Sequence, residues 1–106
     1  NKRLGYRELS LKAGSYVVKF YAKAATTAGA SVRPGFVPVT DGKVGSYVYG
    51  DYVNNISSSE WVLVEQTLDI PSDGTYCFVV MNSKSPGADV LIDDYSATLN
   101  GDAVIK

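Results

Sequence analysis

Apolar and polar residues alternate with a period of two along most of this chain. Tyr16, Val18, Phe20 and Ala22 are interleaved with Val17, Lys19, Tyr21 and Lys23. Successive side chains of a strand point to opposite faces, so the first set predicts a core-facing row and the second a solvent-facing row. Val62, Val64, Gln66, Leu68 and Ile70 alternate in the same way with Trp61, Leu63, Glu65, Thr67 and Asp69. So do Val44, Ser46, Val48, Gly50 and Tyr52 with Lys43, Gly45, Tyr47, Tyr49 and Asp51. No window carries a helical stripe. The alanine-rich stretch 22–30 is interrupted by Thr26, Thr27 and Gly29 and predicts a loop after a strand.

Turn residues punctuate these runs. Lys12-Ala13-Gly14 separates a strand near 3–11 from one at 15–24, and Asp41-Gly42 separates 31–39 from 43–53. Asp-Gly suits a tight hairpin because both central residues tolerate positive φ. Pro71-Ser72-Asp73-Gly74 divides 61–70 from 75–82, and the Ser-Lys-Ser-Pro-Gly run at 83–87 leads into a long strand at 89–99. Pro34 and Pro38 fall inside the third strand. Proline donates nothing to a ladder, so that strand is expected at an edge or bulged. The tail 100–106, with Asn-Gly-Asp, suits a turn into a short extra strand or the start of a linker. About seven strands with regular turns predict one all-β domain, an antiparallel β-sandwich or jelly roll. The expected core is Tyr16, Val18, Phe20, Val48, Val62, Val64, Leu68, Cys77, Val79 and Ile92. In the strand 75–82, Tyr76, Phe78 and Val80 share one apolar face and Cys77, Val79 and Met81 the other, which predicts a central strand covered on both sides.

Composition narrows the function classes. The 106 residues are one domain's worth, with 10 basic and 11 acidic side chains and a net charge of −1. That balance offers no field for nucleic-acid phosphate, and the densest basic spot is only Lys2-Arg3 with Arg7 nearby. No apolar run approaches the ~20 residues that span a bilayer, so no membrane insertion is expected. The chain opens on Asn1 without a signal segment, which suggests a piece of a longer precursor. The single Cys77 excludes an intrachain disulfide and leaves the compartment open. With no histidine, Ser-His-Asp and Cys-His catalysis are excluded and a zinc site is disfavoured. Asp93 and Asp94 are neighbours on a strand, expected on opposite faces, and so do not form a glycosidase pair. No enzyme is expected. Asn55-Ile56-Ser57 matches a glycosylation acceptor, a pattern short enough to arise by chance.

Three stretches in order resemble the galactose-binding-like jelly rolls that include many bacterial carbohydrate-binding modules. These are the Gly14-Ser15-Tyr16 strand start, the Trp61 strand that ends at Ile70-Pro71, and the closing Ile92-Asp93-Asp94 run. The resemblance spans about residues 4–99. It implies a non-catalytic glycan-binding module of an extracytoplasmic bacterial protein, in the periplasm, on the cell surface or secreted. It also implies a structural calcium, with Asp93 or Asp94 as the matching ligand. Such jelly rolls have a further strand or two before the part that matches 3–11. An unpaired sheet edge is therefore expected, filled by a second copy or by a separate N-terminal segment.

Eight tyrosines supply rings that cover a pleated surface or stack on sugars. Tyr47 and Tyr49, two apart with non-core face-mates Lys43, Gly45 and Asp51, form the expected sugar platform. Arg33 and Asn82 are the expected hydrogen-bonding partners, and Tyr21 a further contact. The other function class is a structural or adhesin-like interaction sandwich without a sugar ligand, in which the same tyrosines only pack across strands.

Overall fold

The computed structural model describes residues 3–27, 29–82 and 89–105. Lys2 and the turn expected at 83–87 lie outside the described residues. The described strands are β1 (Arg3–Gly5), β2 (Leu9–Leu11), β3 (Gly14–Ala24), β4 (Ala30–Thr40), β5 (Lys43–Val44), β6 (Val48–Tyr49), β7 (Val53–Ile56), β8 (Val62–Ile70), β9 (Gly74–Asn82), β10 (Val90–Leu99) and β11 (Asp102–Ala103). No helix occurs among the described residues.

Two antiparallel sheets form the sandwich. In the larger, β1 and β2 lie end to end along one side of β9, β4 lies on its other side, and β5, β6 and β7 follow one another along the far side of β4. The smaller runs β11-β10-β3-β8. Between them Tyr16, Val18 and Phe20 of β3 and Val64 and Leu68 of β8 face Phe36 of β4 and Tyr76, Phe78 and Val80 of β9, all buried. Each such side chain contributes about 1.5–3 kcal/mol of burial, the main force closing the sheets.

Eleven strands are described where about seven were expected, in part because bulges cut the run after Asp41-Gly42 into three. The returning arm of the Asp41-Gly42 hairpin shows why. Both turn residues take positive φ, 52° and 76°, and Thr40 pairs with Lys43. Beyond the turn, Val39 faces Val44, Phe36 faces Val48, Val32 faces Val53 and Ala30 faces Ile56. Between each contact and the next the arm uses one residue more than β4. Pro38 and Pro34 sit at the first two of these slips. Their carbonyls accept from Gly45 N–H and Gly50 N–H, each at 2.8 Å, but they have no N–H to return. β4 is therefore bulged on this side and continuous on the β9 side; it is not an edge strand.

The expected core is corrected here: Val48 lies opposite core-facing Phe36, but on β6, which pairs with β4 alone among the described strands, and it stays at the surface. Val48 is 48% exposed, and Val44 is exposed as well. Val62, Cys77 and Ile92 are only half-buried. The place of Val48 is taken by Leu11, Ala22, Val32, Phe36, Ile56 and Ala97, all buried. β9 is central, as expected, and from Tyr76 to Asn82 is buried on both faces except at Cys77.

Side-chain hydrogen bonds fix the turns and one open side. The Tyr16 hydroxyl donates to the Lys12 carbonyl and the Tyr76 hydroxyl to the Ser72 carbonyl, both at 2.7 Å. Lys12-Ala13-Gly14-Ser15-Tyr16 and Ser72-Asp73-Gly74-Thr75-Tyr76 are thus the same device used twice: a glycine turn held by the tyrosine that follows it. On the open side, the Gln66 amide donates to the Asp51 carbonyl at 2.7 Å and accepts from the Asp51 N–H at 2.9 Å. This ties the bulged arm of one sheet to β8 of the other. The tail forms the short hairpin strand β11, through Asn100 and Gly101 at positive φ. At the opposite side β1 pairs only with β9 among the described residues, and an apolar cleft of about 190 Å³ opens between Leu4, Tyr6, Phe78, Ile92 and Tyr95.

Candidate functional site

The residues expected to bind ligand fall in three separate parts of the molecule. Tyr47, Tyr49 and Arg33 come together on the outer face of the larger sheet. Val32 and Phe36 of β4 point into the core, so Arg33 and Gly35 between them point outward. Tyr49 pairs with Gly35, and its ring lies where a Cβ on Gly35 would come within 2.6 Å. Only glycine lets the ring settle there. Tyr47 and Tyr49 are stacked on each other, 5.9 Å between centroids and 7° between planes. Arg3, opposite Met81 from β1, holds its guanidinium 4.4 Å from the Tyr47 ring and donates to the Tyr49 hydroxyl at 2.7 Å. Arg33, opposite the same Met81 from β4, lies between Tyr49 and Tyr52, 4.0 and 4.4 Å from their centroids. The rings thus spend their faces on one another and on two arginines. Beneath them Val79 and Met81 are buried.

Asn82 is not part of that group. It is buried opposite Val32 and borders an inward recess of about 160 Å³ with Leu4, Val80, Val90 and Ile92.

Tyr21 and Asp93 lie on the other side of the molecule, on the outer face of the smaller sheet, as direct neighbours across β3 and β10. Leu63 flanks Tyr21 from β8, and Leu91 lies opposite Lys23. Trp61, immediately before β8, shares the outward parity of Leu63 and Glu65. Its ring is 5.8 Å from the Lys23 ammonium. Tyr21, Trp61, Asp93 and Asp94 line an open depression of about 370 Å³. Tyr21 is 40% and Trp61 45% exposed, so both side chains are accessible.

The presence of both aspartates there corrects the expectation that they point to opposite faces. Tyr21 pairs with Asp93 but Lys19 with Ser96, so β10 carries one extra residue between these contacts. Asp94 takes positive φ, 53°, and its N–H donates to the Asp93 carboxylate at 2.9 Å. Aspartate tolerates this conformation better than most residues. The bulge lets Asp93 and Asp94 line one side consecutively and returns Tyr95 to the core, where it stacks on Phe20. The two carboxylates stand side by side on one strand, not across a cleft as glycoside hydrolysis requires.

No protein-family model matches the chain, and no curated protein matches it.

Asp93 and Asp94 supply carboxylate acceptors, Lys23 a donor, and Tyr21 and Trp61 flat apolar faces. Among the described residues no third acidic, histidine or cysteine side chain joins the pair. Cys77 is remote from the depression, on the outer face of the larger sheet opposite Val37. Burial, helped by the charge of Glu8, pushes its thiol up from the ordinary range, which keeps it protonated and a poor nucleophile at neutral pH.

Sequence reasoning used Trp61 only as a strand marker and passed over Arg3 and Tyr52. A signal for Trp61 existed: it belongs to the solvent-facing set of its strand. Arg3 had none, because its meeting with Arg33 depends on β1 and β4 both pairing with β9.

Proposed function

We propose that this domain is a non-catalytic glycan-binding module of an extracytoplasmic protein. It binds on the outer face of the smaller sheet. The observation that carries this is the depression that joins two exposed aromatic side chains, Tyr21 and Trp61, to the carboxylates of Asp93 and Asp94. A sugar ring offers axial C–H groups to an aromatic face and hydroxyls to fixed acceptors, and both partners are adjacent here. The sandwich, with its Gly14-Ser15-Tyr16 strand start and Ile92-Asp93-Asp94 closing run, also suits the galactose-binding-like jelly rolls that the sequence resembles. Tyr47 and Tyr49 take no part in this face.

Affinity electrophoresis through immobilised neutral polysaccharides, preceded by a glycan array to choose them, tests the assignment. Trp61→Ala and Tyr21→Ala are expected to cut retention about tenfold or more while leaving the melting temperature nearly unchanged, because both side chains are surface-exposed. Normal retention of both variants would remove the site. Absence of any glycan ligand would favour the other function class, with exposed Leu63 and Leu91 as part of a protein-docking face.

A further inference from the structure

The tyrosine-arginine layer on the larger sheet has a charge problem. Arg3 and Arg33 flank Met81 from the two strands on either side of it, so their side chains rise from the same face. Tyr49 touches both: its ring packs on the Arg33 guanidinium and its hydroxyl accepts from Arg3 Nε. Two cations are thereby held around one ring. Neither has a carboxylate partner among the described residues, where the one ion pair is Lys19 with Glu65 at 3.4 Å. Arg33 Nε is buried with no hydrogen-bond partner, and its Nη2 makes only a 4.0 Å contact with the Met81 sulfur. A guanidinium has five donors and no acceptor, and the two rings packed against it accept none of them in the ring plane. Desolvated donors without partners cost stability, and two close cations repel.

We infer that Arg3 and Arg33, with Tyr47, Tyr49 and Tyr52, form a second site, one that takes the carboxylate of an acidic sugar. A planar carboxylate matches the guanidinium rim with paired, charge-assisted hydrogen bonds, and one negative charge offsets the repulsion between both arginines. Tyr52, 38% exposed beside Arg33, offers an aromatic flank for the sugar ring that carries the carboxylate. The choice of a saccharide over another carboxylate rests on the glycan-binding proposal. The site itself is on the opposite sheet and shares no residue with the Tyr21–Trp61 depression.

Nuclear magnetic resonance of the 15N-labelled protein, following the Nε–H signals of Arg3 and Arg33, tests this with three probes: glucuronate, glucose and acetate. Glucuronate is expected to shift both signals with saturation. Glucose should leave them in place, and acetate should bind about tenfold more weakly because it lacks the ring. Binding should persist from pH 5 to 9 and fade below about pH 3–4 as the uronate protonates. Arg3→Gln, an exposed position, should weaken glucuronate about tenfold with the melting temperature unchanged. Trp61→Ala should leave the glucuronate response intact. If that response persists while no neutral glycan binds the wild type, the arginine site stands and the depression on the smaller sheet falls. Unmoved Arg3 and Arg33 signals, or equal affinity for acetate and glucuronate, would overturn the inference.

Discussion

Tyr95 lies nearly parallel to Phe20, 5.7 Å between ring centroids and 17° between planes, yet its hydroxyl is buried with no hydrogen-bond partner. The ring is well used and the oxygen is not. Stacking contributes about 0.5–1.5 kcal/mol beyond burial, whereas a lone buried hydroxyl costs about 1–3 kcal/mol. Tyr95→Phe keeps the first and removes the second. It is expected to raise stability by about 1 kcal/mol, read as a higher denaturant midpoint at unchanged m-value. A lower midpoint would mean that the hydroxyl has a partner in solution.

Tyr16 and Tyr76 are the opposite case, since each hydroxyl donates to a turn carbonyl four residues back. Tyr16→Phe and Tyr76→Phe should each lose about 1 kcal/mol. Amide exchange should rise in the turn that the lost bond held: around Lys12 for the first, around Ser72 for the second. Equal loosening of both turns by either variant would contradict the separate-clamp account.

Burial also ties stability to alkaline pH. Desolvation raises Tyr95 strongly, and Tyr16 too, where it outweighs the bond to Lys12. Above about pH 10 the unfolded chain releases these protons while the folded chain keeps them. The unfolded state then binds fewer protons, so stability falls as pH rises. Tyr95, the more strongly raised, steepens the fall by up to about 1.4 kcal/mol per pH unit. Below about pH 9 neither contributes a slope. Tyr95→Phe should flatten the fall between about pH 10 and 11 in equilibrium denaturation; an unchanged slope would show that Tyr95 ionises normally.

The alternation of residues placed β3, β8, β9 and β10 and most of the core, because each long strand keeps one parity. The Asp41-Gly42 and Asn100-Gly101 turns were legible for the same local reason: their residues accept positive φ. What the pattern could not carry was the count of residues between contacts. An extra residue in the arm after Asp41-Gly42 broke its alternation, and one in β10 put Asp94 beside Asp93. Both slips are chosen by pairing partners far along the chain. Pro34 and Pro38 gave warning of the first; only Asp94 itself hints at the second. The meeting of Arg3 with Arg33 required the strand order, which no local pattern encodes.

Gly35 tests whether the tyrosine layer is set by backbone space. An added Cβ would come within 2.5 Å of the Val48 carbonyl oxygen and 2.6 Å of the Tyr49 ring. Gly35→Ala is expected to cost about 1–3 kcal/mol, the usual range for overpacking. It should also reduce the near-ultraviolet dichroism of the stacked Tyr47 and Tyr49. Wild-type stability with an unchanged spectrum would show that the ring does not rest on Gly35.

The central claim concerns the depression on the smaller sheet, and Trp61 is its own reporter. It is the chain's one tryptophan, and it is exposed beside Tyr21, Asp93 and Asp94. Titration with a neutral glycan that retains the protein in affinity electrophoresis should shift Trp61 emission to shorter wavelength and saturate, as a sugar displaces water from the ring. Asp93→Asn should weaken that titration about tenfold while the melting temperature stays put. Unchanged Trp61 emission at glycan concentrations that saturate retention would place the ligand elsewhere and contradict the account.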